Sequence, residues 1–234
     1  MQLKKVVFIS AAALGMTVIA LRGAQADIRQ YLVTYGYYTP VKGEKEIEQW
    51  TESFHERGGG TALRSRTELE YGVTDRLAAG LYLVNSRPAG GHWEYEETKL
   101  ELRYRLTELG HRFWDTAGYL EFVRPNDSDE PWEMEAKAIF SHDFAKFNLT
   151  LNLIGEKELE PGTEVTKGYA LGIAPRRKGH VGYSVELFGE EHEHYVMPGI
   201  WWTRGSKNIG LGLAAGLTDD SDRFQVRTLY SVEF

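Results

Sequence analysis

The sequence predicts an all-β fold, a closed antiparallel transmembrane β-barrel of about twelve strands. Three observations carry this expectation. Segments of about ten residues alternate apolar with polar side chains and are separated by turn residues, as strands with one lipid face and one lumen face require. Beyond residue 26 no apolar run is long enough for a spanning helix, yet the chain holds 13 Tyr, 10 Phe and 6 Trp, the material of interfacial aromatic girdles. The last alternating segment runs to Phe234.

The N-terminus has the pattern of an export signal. Lys4 and Lys5 form a basic start, residues 6–21 are uncharged and mostly apolar, and Ala24-Gln25-Ala26 is a small-x-small cleavage pattern. The expected cut precedes Asp27. Removing residues 1–26 takes away Lys4, Lys5 and Arg22 and no acid, so the formal charge of −7 becomes −10 over the 208 remaining residues of 234. A chain this acidic lacks the clustered cations that nucleic-acid binding needs. With no cysteine, disulfides, thiolate metal sites and thiol nucleophiles are excluded. No cofactor is indicated.

The strands follow in order. The first lies near residues 45–54. In residues 62–73, Leu63, Thr67, Leu69, Tyr71 and Val73 share one face, with Arg64, Arg66, Glu68 and Glu70 on the other. The Thr74-Asp75-Arg76 turn leads to Leu77, Ala79, Leu81 and Leu83, a hairpin with a short loop. Leu100, Leu102, Tyr104 and Leu106 oppose Lys99, Glu101, Arg103 and Arg105. A helix would scatter those charges around its circumference, whereas a strand sorts them. Gly118, Leu120 and Phe122 oppose Tyr119 and Glu121, and Trp132, Met134, Ala136, Ala138 and Phe140 oppose Glu133, Glu135 and Lys137. Phe147, Leu149, Leu151 and Leu153 oppose Asn148, Thr150 and Asn152. Val165, Tyr169, Leu171 and Ile173 alternate with Thr166, Gly168, Ala170 and Gly172, and Val181, Tyr183, Val185 and Leu187 with Gly182, Ser184 and Glu186. Val196, Ile200 and Trp202 form a less regular strand interrupted by Pro198, and Ile209, Leu211, Leu213, Ala215 and Leu217 alternate with Gly and Ala. Finally Phe224, Val226, Thr228, Tyr230, Val232 and Phe234 oppose Arg223, Gln225, Arg227, Ser231 and Glu233.

Connections alternate in length. Short ones are expected at residues 74–76, 143–146, 175–180 and 204–207, and longer or more polar ones at 55–61, 86–96, 124–131, 156–163, 189–193 and 218–222. Residues 107–116 are long for the short-turn side. Short periplasmic turns and longer outer loops are the barrel rule, and an even strand number places both barrel ends on the periplasmic side. The chain therefore divides into a signal at 1–26, a lead segment at 27–43 and a barrel at 44–234. Residues 28–39 belong to no strand: they are a periplasmic lead, a lumen plug, or a sign that the count is off.

The signal, the Tyr71-Gly72-Val73-Thr74-Asp75-Arg76-Leu77 hairpin and the final strand resemble those of bacterial outer-membrane β-barrel proteins, small and porin-like or transporter-like. The resemblance implies a Gram-negative outer-membrane location with membrane lipid as surroundings. It also implies a C-terminal strand read by the barrel-assembly machinery, with Phe224, Val226, Tyr230, Val232 and Phe234 matching that signal.

The expected lumen lining is Arg64, Arg66, Glu68, Glu70, Lys99, Glu101, Arg103, Arg105, Glu133, Glu135, Lys137, Glu186 and Arg227. Both signs are present, so two readings stand: a pore that selects solutes by charge, or a salt-bridge network filling a narrow barrel. His192 and His194, within Glu190-Glu191-His192-Glu193-His194, are weak metal candidates, since a solvated acidic outer loop is the simpler account of the run. In a strand the two would point the same way. Ser141-His142 places a hydroxyl beside an imidazole, as lipid-modifying catalysis would need. Neighbours in a strand face opposite sides, so His142 is poorly placed to activate Ser141. Trp93, Trp114, Trp132, Trp201 and Trp202 are expected at the membrane interface. Three functions follow: a small channel for passive passage of small polar or charged solutes, a loop-displaying scaffold with a filled lumen, or a lipid-modifying enzyme. A soluble periplasmic barrel or sandwich is the architectural alternative.

Overall fold

A computed structural model describes residues 29–176 and 179–234; the expected signal at 1–26 lies outside them. The described chain forms twelve strands: β1 (Lys45–His55), β2 (Thr61–Gly72), β3 (Leu77–Arg87), β4 (Glu94–Arg105), β5 (Asp115–Pro125), β6 (Glu133–Asp143), β7 (Phe147–Glu158), β8 (Thr166–Pro175), β9 (Val181–Glu190), β10 (Glu193–Arg204), β11 (Lys207–Gly216) and β12 (Phe224–Glu233). Each pairs antiparallel with its sequence neighbours, and β1 pairs with β12 from Glu46↔Glu233 to His55↔Phe224, which closes the barrel. Closure leaves no strand edge without partners. Strands of 10–12 residues match the length that tilted strands need to cross a hydrocarbon layer.

Burial alternates along the strands as the sequence alternates. Leu69, Leu81, Leu83, Leu100, Leu153, Ile173, Val185, Ile200, Leu211 and Leu213 are exposed on the outer surface, while alternate residues of the same strands, such as Glu68, Tyr82, Glu101, Asn152, Ala170, Glu186, Met197 and Asn208, are buried inside. An uncovered apolar belt of this extent is unsuited to water. Its period of two, maintained around the ring, suits lipid outside and a polar lumen within.

Local chemistry sets the ends. In the β2–β3 turn the Thr74 hydroxyl accepts the Arg76 and Leu77 N–H groups at 3.2 and 2.9 Å. The β10–β11 ladder is interrupted at Met197 and Pro198, where proline has no N–H to donate. Between β9 and β10, residues 189–193, expected among the longer or more polar connections, are polar but form a tight turn. The strands are joined by Glu191 and His192 alone, Glu191 at φ 44°. Gly189 permits this closure, because a Cβ there would strike the His194 ring and the Glu193 carbonyl.

Residues 29–39 form no strand and run inside the barrel. The segment starts beside Pro175, Gly182 and Trp201, at the end carrying the short turns. It rises to mid-barrel at Leu32–Tyr35 and returns to the same end, where the Tyr37 hydroxyl bonds the Thr107 carbonyl. Val41 then packs on Gly72, whose missing side chain makes room for the Val41 carbonyl, and Gly43 donates to Gly72 at 2.8 Å before β1 begins.

Candidate functional site: the barrel lumen

The lumen has two unlike halves. Towards the short turns it is filled. Glu186 is buried and accepts three successive backbone N–H groups of the inserted segment: Leu32 at 2.7 Å, Val33 at 2.8 Å and Thr34 at 2.7 Å. Three converging amides form an anion nest, here occupied by a wall carboxylate. Asn152 accepts from the Tyr35 N–H at 2.7 Å and donates to its carbonyl at 2.9 Å, imitating a strand partner. Tyr31 donates to Asn148 at 2.7 Å. Arg29 makes a bidentate pair with Glu48 at 2.6 and 2.7 Å, its guanidinium 5.2 Å from the Trp50 ring centre. Five buried carboxylates, Glu46, Glu48, Glu68, Glu70 and Glu101, surround Arg29 and Arg103 in this half.

Apolar lumen residues lie where the segment docks. Leu32 packs with Trp50, Ala170, Phe188, Tyr195, Met197, Trp201, Ala214 and Leu229, and Tyr37 with Ala117, Tyr119 and Ile139. A Cβ at Gly172 would overlap the Tyr31 ring, and one at Gly212 would lie 2.6 Å from Leu32 Cδ1. The wall is thus recessed opposite Tyr31 and Leu32.

Towards the long loops the lumen opens into a cavity of about 190 Å³. Leu32, Val33 and Tyr35 of the inserted segment line it, as do Trp50, Tyr119, Val123 and Ile154 of the wall. Its charged lining is Arg66, Lys99, Lys137 and Arg227 with Glu121, Glu133, Glu135 and Glu156.

The residues expected to line the lumen take distinct positions. Arg66 and Arg227 share Glu52, at 3.2 and 2.8 Å. Arg64 meets Glu96 at 3.1 Å. Lys99 lies between Glu121 at 3.1 Å and Glu97 at 3.3 Å, and Lys137 pairs with Glu135 at 2.8 Å above the rings of Tyr119 and Tyr35. Arg103 joins Glu70 and Glu101, the latter also receiving the Tyr82 hydroxyl at 2.6 Å. Arg105 stands 6.0 Å from the Tyr37 ring centre. Glu68 is buried with neither oxygen hydrogen-bonded among the described residues, Glu133 borders the cavity, and Glu186 holds the inserted segment. Sequence reasoning missed Arg29, Glu46, Glu48, Trp50, Glu52 and Tyr82, and it sorted Tyr119 and Glu121 to the face opposite Leu120 and Phe122 without counting them in the lining. Those of β1 were legible from its Glu46-Ile47-Glu48 alternation. Apolar Met197, Trp201 and Leu229 on an otherwise polar face were the missed signal that something apolar fills the lumen.

Phe224, Val226, Tyr230 and Val232 occupy the outward row of β12, and Phe234 exchanges backbone hydrogen bonds with Lys45 at 2.8 and 3.2 Å. Trp201 departs from its expected interfacial position: it is 1 % exposed, turned inward, and its ring lies where a Gly210 side chain would stand. His192 lies in the β9–β10 turn rather than in a strand, so its direction is not tied to that of His194, which faces outward with Nδ1 3.2 Å from the Tyr169 hydroxyl. Ser141 points inward and bonds Thr150 at 2.8 Å, whereas His142 points outward and stacks on Phe113 at 4.3 Å.

Comparison with solved structures agrees with this geometry. The COG4313 outer membrane channel from Pseudomonas putida F1 aligns over 84% of this chain and 97% of its own, with a TM-score of 0.59 at 14% identity. The NanC porin aligns over 81% of this chain and 98% of its own, with a TM-score of 0.54 at 9% identity. The fold is that of a bacterial outer-membrane β-barrel. The translocator domain of the autotransporter NalP from Neisseria meningitidis also shares it, at a TM-score of 0.50 and 13% identity over 83% of this chain and 90% of its own. A family profile described as a family of unknown function (DUF6662) matches residues 23–124, which hold the inserted segment and β1 to β4 with most of β5. No curated protein matches the chain.

Proposed function

We propose that this barrel is an outer-membrane channel for passive passage of small polar or charged solutes, with residues 29–39 closing its periplasmic half. The observation supporting this reading is the charged cavity that the inserted segment floors. A barrel serving only as scaffold has no need of such a cavity. Two structural neighbours, a channel and a porin, agree with it. On this reading the short turns face the periplasm and the chain is exported by a cleaved signal. The assembly machinery then recognises the outward row ending at Phe234, so Phe234→Ala lowers the yield of folded barrel in the outer membrane.

The segment belongs to none of the ladders that close the barrel, so its removal leaves the wall in place. Planar-bilayer recording of the mature chain is expected to show small or infrequent openings. Deletion of residues 29–39 is expected to raise conductance severalfold. Absence of conductance from both proteins would favour the second reading, a filled scaffold, which the hydrogen bonds from Glu186 and Asn152 to the segment support.

A further inference from the structure

We infer that the outer cavity is a binding site for small zwitterions, molecules carrying a carboxylate and an ammonium a few bonds apart. The inference gives a substrate class to the proposed channel, and it rests on how the two signs of charge are distributed around the ring.

The order of the closed barrel places β6 and β7 opposite β12 and β1. Cations collect on the β12–β1–β2 side: Arg227 on β12 and Arg66 on β2 line the cavity, and Arg64 follows towards the long loops. The single carboxylate between Arg66 and Arg227 is Glu52 of β1. Arg66 Nε has no hydrogen-bond partner among the described residues. On the other side Glu133 and Glu135 of β6 and Glu156 of β7 line the cavity, with Glu190 of β9 beside them. Of these only Glu135 forms an ion pair among the described residues, with Lys137. Lys99 and Lys137 also line that side, but four carboxylates, Glu121, Glu133, Glu135 and Glu156, outnumber them. A guanidinium-bearing wall thus faces a wall with a surplus of carboxylate across the cavity, and the enclosing barrel focuses the field between them.

That field discriminates by dipole. A singly charged solute is attracted by one wall and repelled by the other, whereas a zwitterion satisfies both. Guanidinium groups offer planar paired donors to a carboxylate, and Glu133 and Glu156 offer acceptors to an ammonium. The cavity of about 190 Å³ lies below the range of drug-sized sites and suits a ligand of a few heavy atoms. Tyr35, Trp50 and Tyr119 present ring surface to its apolar atoms.

The test compares β-alanine with propionate and propylammonium, by saturation-transfer NMR on the folded, detergent-solubilised chain. No flux is involved, so binding without conductance would remove the channel reading and leave this inference intact. β-Alanine is expected to bind about tenfold more tightly than either analogue, the effect of one partly buried charge pair. The Glu133→Gln/Glu156→Gln double variant is expected to lose that advantage and gain affinity for propionate. Arg227→Gln is expected to lose it and gain affinity for propylammonium. Arg227→Gln leaves Glu52 paired with Arg66, and the heat-dependent gel shift confirms that each variant is folded. Equal binding of the three probes, no binding of β-alanine, or a preference unchanged in folded variants would overturn the inference.

Discussion

At the scale of single residues, Glu186 anchors the inserted segment. Its two oxygens accept three backbone N–H groups, and a hydrogen bond to an ionised group contributes about 1.5–3 kcal/mol net. Glu186→Gln removes the charge and turns an amide N–H₂ towards N–H donors. The docked segment should be weakened by about 2–3 kcal/mol, since part of the bonding survives. The chain has no cysteine, so a single introduced thiol reports directly. Thr34→Cys replaces a buried side chain and is expected to resist an impermeant maleimide in the otherwise unchanged barrel. With Glu186→Gln it is expected to react at least tenfold faster; equal rates would show that Glu186 does not hold the segment. Position 186 was legible as an inward charge from the alternation Val185-Glu186-Leu187. Its partners were not, because they are backbone groups some 150 residues away in sequence.

At the scale of elements, strands and inserted segment obey different rules. Strand existence follows from period-two patterning, and hairpin positions follow from turn chemistry such as that of Thr74. The β9–β10 turn misled sequence reading because Glu190 to His194 are all polar or charged, and polarity resembles a loop. What shortens it is the absent side chain of Gly189, a steric matter that composition does not express. The inserted segment is specified by recesses in its receptor. Gly172 faces the Tyr31 ring, and Gly212 faces Leu32. Gly172→Leu fills the first recess while keeping an inward strand position, and is expected to expel the segment without unfolding the wall. Limited proteolysis of the folded barrel should then cut after Arg29, which is otherwise buried against Glu48 and Trp50. A cleavage rate like that of the unaltered barrel would show that Tyr31 finds another seat.

At the scale of the whole molecule, stability comes from closure and from the match between outer surface and solvent. Twelve ladders leave no open edge, and the apolar belt lies outside. Leu211 sits midway along β11, on the outward face. Leu211→Arg is expected to cost about 2–4 kcal/mol in denaturant titrations of lipid-embedded barrel, as for cations near a bilayer midplane. The same change on a water-facing strand would cost little, so a shift below about 0.5 kcal/mol would speak against membrane embedding.

The sequence by itself determined the strands, their number, their two faces and the charged character of the lumen, because each depends on alternation within about ten residues. Tertiary structure alone decided how the lumen is occupied. Whether Glu186 pairs with a cation or with three backbone amides depends on contacts between distant segments. The same holds for Arg66 and Arg227 facing Glu133 and Glu156, and for the course of residues 29–39. These contacts are set by ring closure and strand register, which no local pattern records.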